Sequence, residues 1–291
     1  MSLATVVETI DWLKRHGCKV FAAISGEPLI HPSIVEILAY AHGLGMFTYD
    51  PTNLLHMDEE FLRRLLTAGL NLLDVAVDVI KQTPGLDKNL DHIRKHLDLV
   101  LAARHEQGLI LKLNTVITRF NIKDVLDLAD FARERRIPIS FHLVQKTVEG
   151  DPRYPWVNPD VLFSQKDAGE LERLCSTLID RKRAGWPINN PEWYFHRAVE
   201  QVRDGKCSEW DCKAGRSTVF VQDGKLWPCM VLNGEQASPW GTVGNTEFPF
   251  DPAKLEAQIH GPTGCSHGCL SCVNTLTASG LLNTVLPYIK S

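Results

Sequence analysis

Apolar and polar positions along the first half of the chain alternate between two periods. Val6, Val7, Ile10 and Leu13 recur at helical spacing, and Gly17 stands where a helix C-terminus is closed. The compact apolar run Cys18 to Ile24 then predicts a buried strand. The same couplet returns about every thirty residues. Helices are predicted over 33–44, 58–68, 89–107 and 122–135, and strands over 46–49, 72–77, 109–117 and 137–144. Asp58 is placed to cap the second of these helices. Strands that alternate with helices pair in parallel through right-handed crossovers. The fold class is therefore α/β, either part of a β/α barrel or an open doubly wound sheet. The chain opens on a helix, so a strand-first repeat lacks its opening strand.

The pattern changes after residue 145. Residues 154–191 are rich in Pro and Trp around one amphipathic helix, 171–179, and read as a bridge. From Lys206 onward short strands and turns take over. Ser217 to Val221 and Leu226 to Met230 flank Asp223-Gly224, a hairpin turn signal. The organisation expected is a partial barrel over 1–145, a bridging segment over 146–205 and a Cys-rich domain over 206–291.

Composition adds exclusions. The 291 residues carry 31 Lys and Arg against 35 Asp and Glu, a net charge of −4, which argues against an undirected grip on nucleic acid or acidic lipid. No run reaches the ~18 apolar residues of a membrane span. Met1 to Gly17 carries Glu8, Asp11, Lys14 and Arg15, which breaks any signal-peptide core. A cytoplasmic location is expected. Of eight cysteines, Cys18 and Cys175 stand alone, while Cys207, Cys212, Cys229, Cys265, Cys269 and Cys272 crowd the C-terminal part. In a reducing compartment such a cluster points to metal or iron–sulfur ligation.

Candidate chemistry collects where strands end. Ser25-Gly26-Glu27-Pro28 follows the first strand; glycine lets a ligand approach the backbone and proline stiffens the loop. Thr52-Asn53 follows the second strand and Asp78 ends the third. Asn114 lies in the fourth with Asn121 just beyond, and His142 and Gln145 lie in or after the fifth. Polar side chains converging on one rim are what a barrel active site requires. The plain alternative is a set of turn residues and helix caps, for Asn53 and Asn121 in particular.

Taken together, the Gly26-Glu27-Pro28 turn, the Thr-Asn pair, the strand ending in Asp78 and the run Leu113-Asn114-Thr115-Val116-Ile117 resemble the radical SAM family over residues 4–145. The resemblance implies a partial (β/α)6 barrel that binds S-adenosylmethionine, with Gly26, Glu27, Asn53, Asp78 and Asn114 as cofactor-binding positions. It implies generation of a 5′-deoxyadenosyl radical to modify a substrate, peptide or small molecule. The electron would come from a reductant such as ferredoxin or flavodoxin. Ser25 replaces the family's first glycine. The family's Cys-x3-Cys-x2-Cys loop, which holds its catalytic [4Fe-4S] cluster, has no counterpart before Cys18, so the chain as given is expected to be truncated or degenerate, and inactive.

The C-terminal cysteines resemble the SPASM or twitch extension, which implies an auxiliary [4Fe-4S] cluster on Cys212, Cys229, Cys269 and Cys272, with Cys207 and Cys265 as further ligands. Four thiolates at this spacing also suit a structural zinc knuckle. Cys265, Cys269 and Cys272 repeat the Cys-x3-Cys-x2-Cys spacing after the barrel instead of before it. The alternative function is a silent barrel with a metal-binding module, acting as a binding or partner protein. A zinc-dependent barrel hydrolase is disfavoured by the absence of a His/Asp ligand set at the strand ends.

Overall fold

The computed structural model describes residues 1–24, 26–144, 159–205, 218–227 and 239–246. Helix α1 (Leu3–Arg15) starts at Ser2, whose hydroxyl accepts the Thr5 N–H, and leads into β1 (Val20–Ala22). Then follow α2 (Ile34–Gly43), β2 (Phe47–Thr52), α3 (Glu59–Thr67), β3 (Leu72–Ala76), α4 (Leu90–Gln107), β4 (Ile110–Ile117), α5 (Ile122–Arg135) and β5 (Ile139–Leu143). The five strands are parallel and lie in chain order β1-β2-β3-β4-β5, a sheet curled into a half-barrel. The expected α/β partial barrel is the fold observed.

One local device repeats at the helix ends. After α1, Gly17 donates to Lys14 O and Cys18 to Leu13 O; after α2, Gly45 donates to His42 O and Met46 to Ala41 O; Gly69 and Leu70 repeat the pair after α3. This is the left-handed glycine closure of a helix, with φ of 79°, 70° and 86° at the three glycines. At Gly69 a side chain is doubly excluded, since a Cβ would run into the His42 ring. Each closure turns the chain sharply toward the next strand, which is why the thirty-residue period was visible.

Strand limits differ from the sequence expectation in instructive ways. β1 is three residues long instead of seven. β2 runs through Pro51 to Thr52, beyond the expected end at Tyr49. Tyr49 O accepts from Ala23 N, so Pro51, two residues on, turns its missing N–H toward the side where β1 has already ended. β3 stops at Ala76, two residues before Asp78.

The chain groups into two compact units, one holding Met1–Val75 and Ile93–Leu111, the other Ala76–His92 and the chain from Lys112 through the helices after β5. Those helices are α6 (Ala168–Arg183) and α7 (Glu192–Asp204). Residues 187–189 extend the sheet: Ile139 N donates to Pro187 O and Asn189 N to Ile139 O. Asn190 then imitates a further strand with its side chain, accepting Phe141 N–H at 2.7 Å and donating to Phe141 O at 2.8 Å. Tyr194 Oη accepts Leu143 N–H at 2.8 Å. The outer edge of β5 is thus sealed.

In the first unit, β6 (Phe220–Gln222) and β7 (Lys225–Trp227) form the expected hairpin, with Asp223 and Gly224 at φ 50° and 71°. The strands are shorter than expected, and β8 (Gly241–Thr242) adds to the β7 edge. Trp12 Nε1 donates to Thr246 O at 3.0 Å, tying α1 to this small sheet. No helix among the described residues is long and apolar enough to cross a membrane.

Candidate functional site

Gly26 adopts φ 60° and lies exposed, with nothing within 4 Å of where a Cβ would stand. The requirement for glycine here is conformational, since the space around it is open. Glu27 follows in extended conformation and caps the short 3-10 turn Pro28–Ile30. Its carboxylate is fully engaged. Oε1 accepts Leu29 N–H at 3.2 Å and the Thr52 hydroxyl at 2.8 Å, and Oε2 accepts Asn53 N–H at 2.7 Å. Glu27 is therefore a clasp that fastens the turn to the end of β2. What the turn presents outward is the backbone at Gly26, not the carboxylate.

Asn53 serves the same corner. Its Oδ1 accepts Leu55 N–H at 3.0 Å across Leu54, a residue at φ 63°. The plain turn role describes the observed bonds of this side chain.

Asp50, two residues before Thr52 and on its face of β2, was not singled out from sequence. It is 0% exposed, and neither carboxylate oxygen has a hydrogen-bond partner. Burial first, and then the negative charge of Glu27, push this carboxyl up to about 8. On the opposite face Tyr49 donates its hydroxyl to Asp74 Oδ2 at 2.7 Å.

In the second unit, Asp78 is 7% exposed and accepts Val116 N–H at 2.7 Å. Burial raises its carboxyl above the usual range, while Lys88 and the Val116 amide pull the other way. Its backbone is held by Asn121, which donates to Asp78 O at 2.7 Å and Val116 O at 2.8 Å and accepts Thr118 N–H at 2.7 Å. Asn121 is fully buried and belongs to the scaffold.

Asn114 behaves differently. It pairs in register with Ser140, and its Oδ1 is buried without a hydrogen-bond partner. The same face of β4 and β5 carries Lys112, 3% exposed with Nζ 3.4 Å from Ser140 Oγ, and His142, whose Nδ1 also lacks a partner. Burial and then the positive charge of Lys112 lower the His142 imidazole to about 3, so it is neutral throughout the physiological range. Such a ring accepts or donates hydrogen bonds but is too weak a base for proton abstraction near neutrality.

Among the described residues no three His, Cys, Asp or Glu side chains converge to hold a metal. The cysteines described are Cys18, raised by burial, and Cys175, pushed up to about 12 by burial and Glu172. Cys175 is buried and Cys18 half-buried, and protonated thiols make poor ligands. Cys207, Cys212, Cys229, Cys265, Cys269 and Cys272, together with Gln145, lie outside the described residues. Lys112 could have been found as a charge inside an otherwise apolar strand, a signal in its own right, whereas Asp50 stood one residue beyond the expected end of β2.

Residues 1–144 match the model of the Radical SAM superfamily. Fe-coproporphyrin III synthase of Methanosarcina barkeri is 29% identical over 140 residues, 46% of this chain and 34% of its own length. PqqA peptide cyclase of Granulibacter bethesdensis is 23% identical over 262 residues, covering 84% of this chain and 62% of that protein. The chain thus spans only part of each. Among solved structures, SuiB of Streptococcus suis superimposes with a TM-score of 0.64 at 17% identity, over 89% of this chain and 61% of that one. SuiB has also been solved bound to S-adenosylmethionine and to its precursor peptide SuiA. The half-barrel and the superfamily match agree: residues 1–144 of this chain are a radical SAM domain.

Proposed function

We propose that the chain binds S-adenosylmethionine at the turn after β1 and belongs to an enzyme that modifies a peptide by radical chemistry. The carrying observation is the Glu27 clasp. By spending its carboxylate on Leu29, Thr52 and Asn53, Glu27 fixes an exposed glycine backbone in one conformation. A rigid, side-chain-free edge of this kind suits the ammonium and carboxylate of an amino-acid ligand. Asn114 Oδ1 lacks a partner, as an atom awaiting a ligand would. Asp78 is a further position that the resemblance implies. With a reduced cluster at hand, S-adenosylmethionine supplies one-electron cleavage at its sulfonium. This chain's own residues orient the cofactor and keep its polar groups paired.

The peptide reading draws on PqqA peptide cyclase, aligned over most of this chain, and on SuiB with its bound precursor peptide. The SPASM-like cysteines are assigned to an auxiliary [4Fe-4S] cluster through Cys212, Cys229, Cys269 and Cys272, because thiolates suit zinc and iron–sulfur clusters alike and the upstream match to the Radical SAM superfamily favours the cluster. After anaerobic reconstitution the full chain should hold about four irons and absorb broadly near ~400 nm. One zinc and no iron would replace this assignment with the zinc knuckle. For the cofactor, calorimetric titration with S-adenosylmethionine should give measurable affinity that falls at least about tenfold in Glu27→Ala and Asp78→Ala. Equal affinity in all three proteins would place the site elsewhere.

A further inference from the structure

A carboxyl group that is fully enclosed and makes no hydrogen bond is costly in its charged form and cheap only when protonated. Asp50 is such a group, 0% exposed and without a partner on either oxygen. Among the described residues no cation bears on it. β2 packs against β1, the 3-10 turn and α2. β1 has no ionisable side chain. On α2, Glu36 and His42 are exposed, and Tyr40 is bound to Asp11 at 2.7 Å. On β3, Asp74 lies on the opposite face with Tyr49. The charge that bears on Asp50 is Glu27, from the turn. Thr52, next but one on the same strand face, is the residue whose hydroxyl holds Glu27. Any negative charge on Asp50 therefore acts directly on the clasp.

We propose that Asp50 is a positioning residue that keeps its proton in the folded protein, and that losing this proton loosens the Glu27 clasp and the turn at Gly26. The proton leaves to solvent as pH rises, and a buried negative charge then stands within electrostatic reach of the Glu27 carboxylate. Burial and Glu27 together set that ionisation near pH 8, inside the range a cell or an assay can reach. The folded state binds one more proton than the unfolded state between pH ~4 and ~8, so this group's contribution to stability falls across that interval and is level above it.

The test uses the full chain. Carbon-13 NMR of the Asp50 carboxyl in the wild type should give a midpoint near pH 8, and a midpoint below ~6 overturns the proposal. Glu27→Gln should lower that midpoint without returning it to an ordinary aspartate value, since burial is the larger cause. Between pH 6 and 9 the folding equilibrium constant of the wild type should fall about 10- to 100-fold more than that of Asp50→Asn. Over the same interval, amide protection at Leu29 and Asn53, the backbone donors to Glu27, should drop about tenfold in the wild type and stay level in Asp50→Asn. Parallel pH slopes in the two proteins, or protection at these amides independent of pH, refute it. Should Asp50→Asn fail to fold, Asp50→Leu and the wild-type titration decide. The consequence for the cofactor rests on the function proposed above. The titration and the amide exchange do not, so a chain that binds no S-adenosylmethionine would end that reading and leave this one standing.

Discussion

The end of β2 and the face shared by β4 and β5 solve the same problem with opposite signs. In the first, a buried carboxyl sits near a second carboxylate, and Asp50 stays neutral up to about 8. In the second, a buried imidazole sits near an ammonium group, and His142 stays neutral down to about 3. Each place withholds charge from one side chain by enclosing it and setting a like charge beside it. What differs is the use of the neighbour. Glu27 is saturated with protein donors and holds a turn in shape. Asn114 and His142, like Asp50, keep buried polar atoms without partners, and among the described residues nothing as saturated as Glu27 stands beside them. The comparison sets a region built around a saturated carboxylate against the face proposed above to meet the ligand.

The largest effect should come from breaking the clasp. Glu27→Ala leaves the Leu29 and Asn53 amides and the Thr52 hydroxyl without their acceptor. It should cost about 2–3 kcal/mol in denaturant unfolding, together with the loss of affinity described above. A clean stability profile in that variant would show that the turn does not depend on Glu27.

The paired neutral groups should next be visible in the pH dependence of stability. His142, with its folded pKa lowered, contributes stability that is fully present above pH ~6.5 and is lost as pH falls toward ~3. Asp50 acts in the opposite direction between pH ~4 and ~8. Their contributions therefore cancel between pH ~4 and ~6.5, leaving an alkaline decline from Asp50 and an acid decline from His142. His142→Phe, which keeps the edge contact with Tyr194, should remove the acid arm, and Asp50→Asn the alkaline arm. A variant that removes both arms, or neither, breaks the comparison.

Smaller changes sharpen it. Tyr194→Phe deprives Leu143 N–H of its acceptor and should cost about 1 kcal/mol without altering either pH arm. Asn114→Leu should do the reverse of an ordinary core lesion. Because Oδ1 has no partner, the ligand-free protein should hold its stability within about 1 kcal/mol, or gain, while S-adenosylmethionine affinity falls. A large loss of stability with unchanged affinity would make Asn114 a scaffold residue.

Much of the scaffold could be read from periodicity. Helix-ending glycines and apolar strands recur in a fixed order, and Asp223-Gly224 turns as its residue types require. Periodicity misled where a residue's role depends on a distant partner. Pro187-Ile188-Asn189-Asn190 looks like a connector, yet it pairs with β5 through contacts some fifty residues away in sequence. Glu27 looked like a rim carboxylate and proved to be bonded on both oxygens, which only the position of Thr52 and Asn53 reveals. Lys112 was hidden because an apolar run is scored by its majority, and a single buried charge inside it is read as noise, while Asp50 fell just past the expected end of β2, beside Pro51.

The central claim, a cofactor turn held by Glu27, is tested most directly by hydrogen exchange of the full chain with and without S-adenosylmethionine. Added cofactor should slow exchange at the amides of Gly26, Glu27, Leu29 and Asn53, and this protection should vanish in Glu27→Ala. Slowed exchange confined to other segments, or none at saturating cofactor, would contradict it.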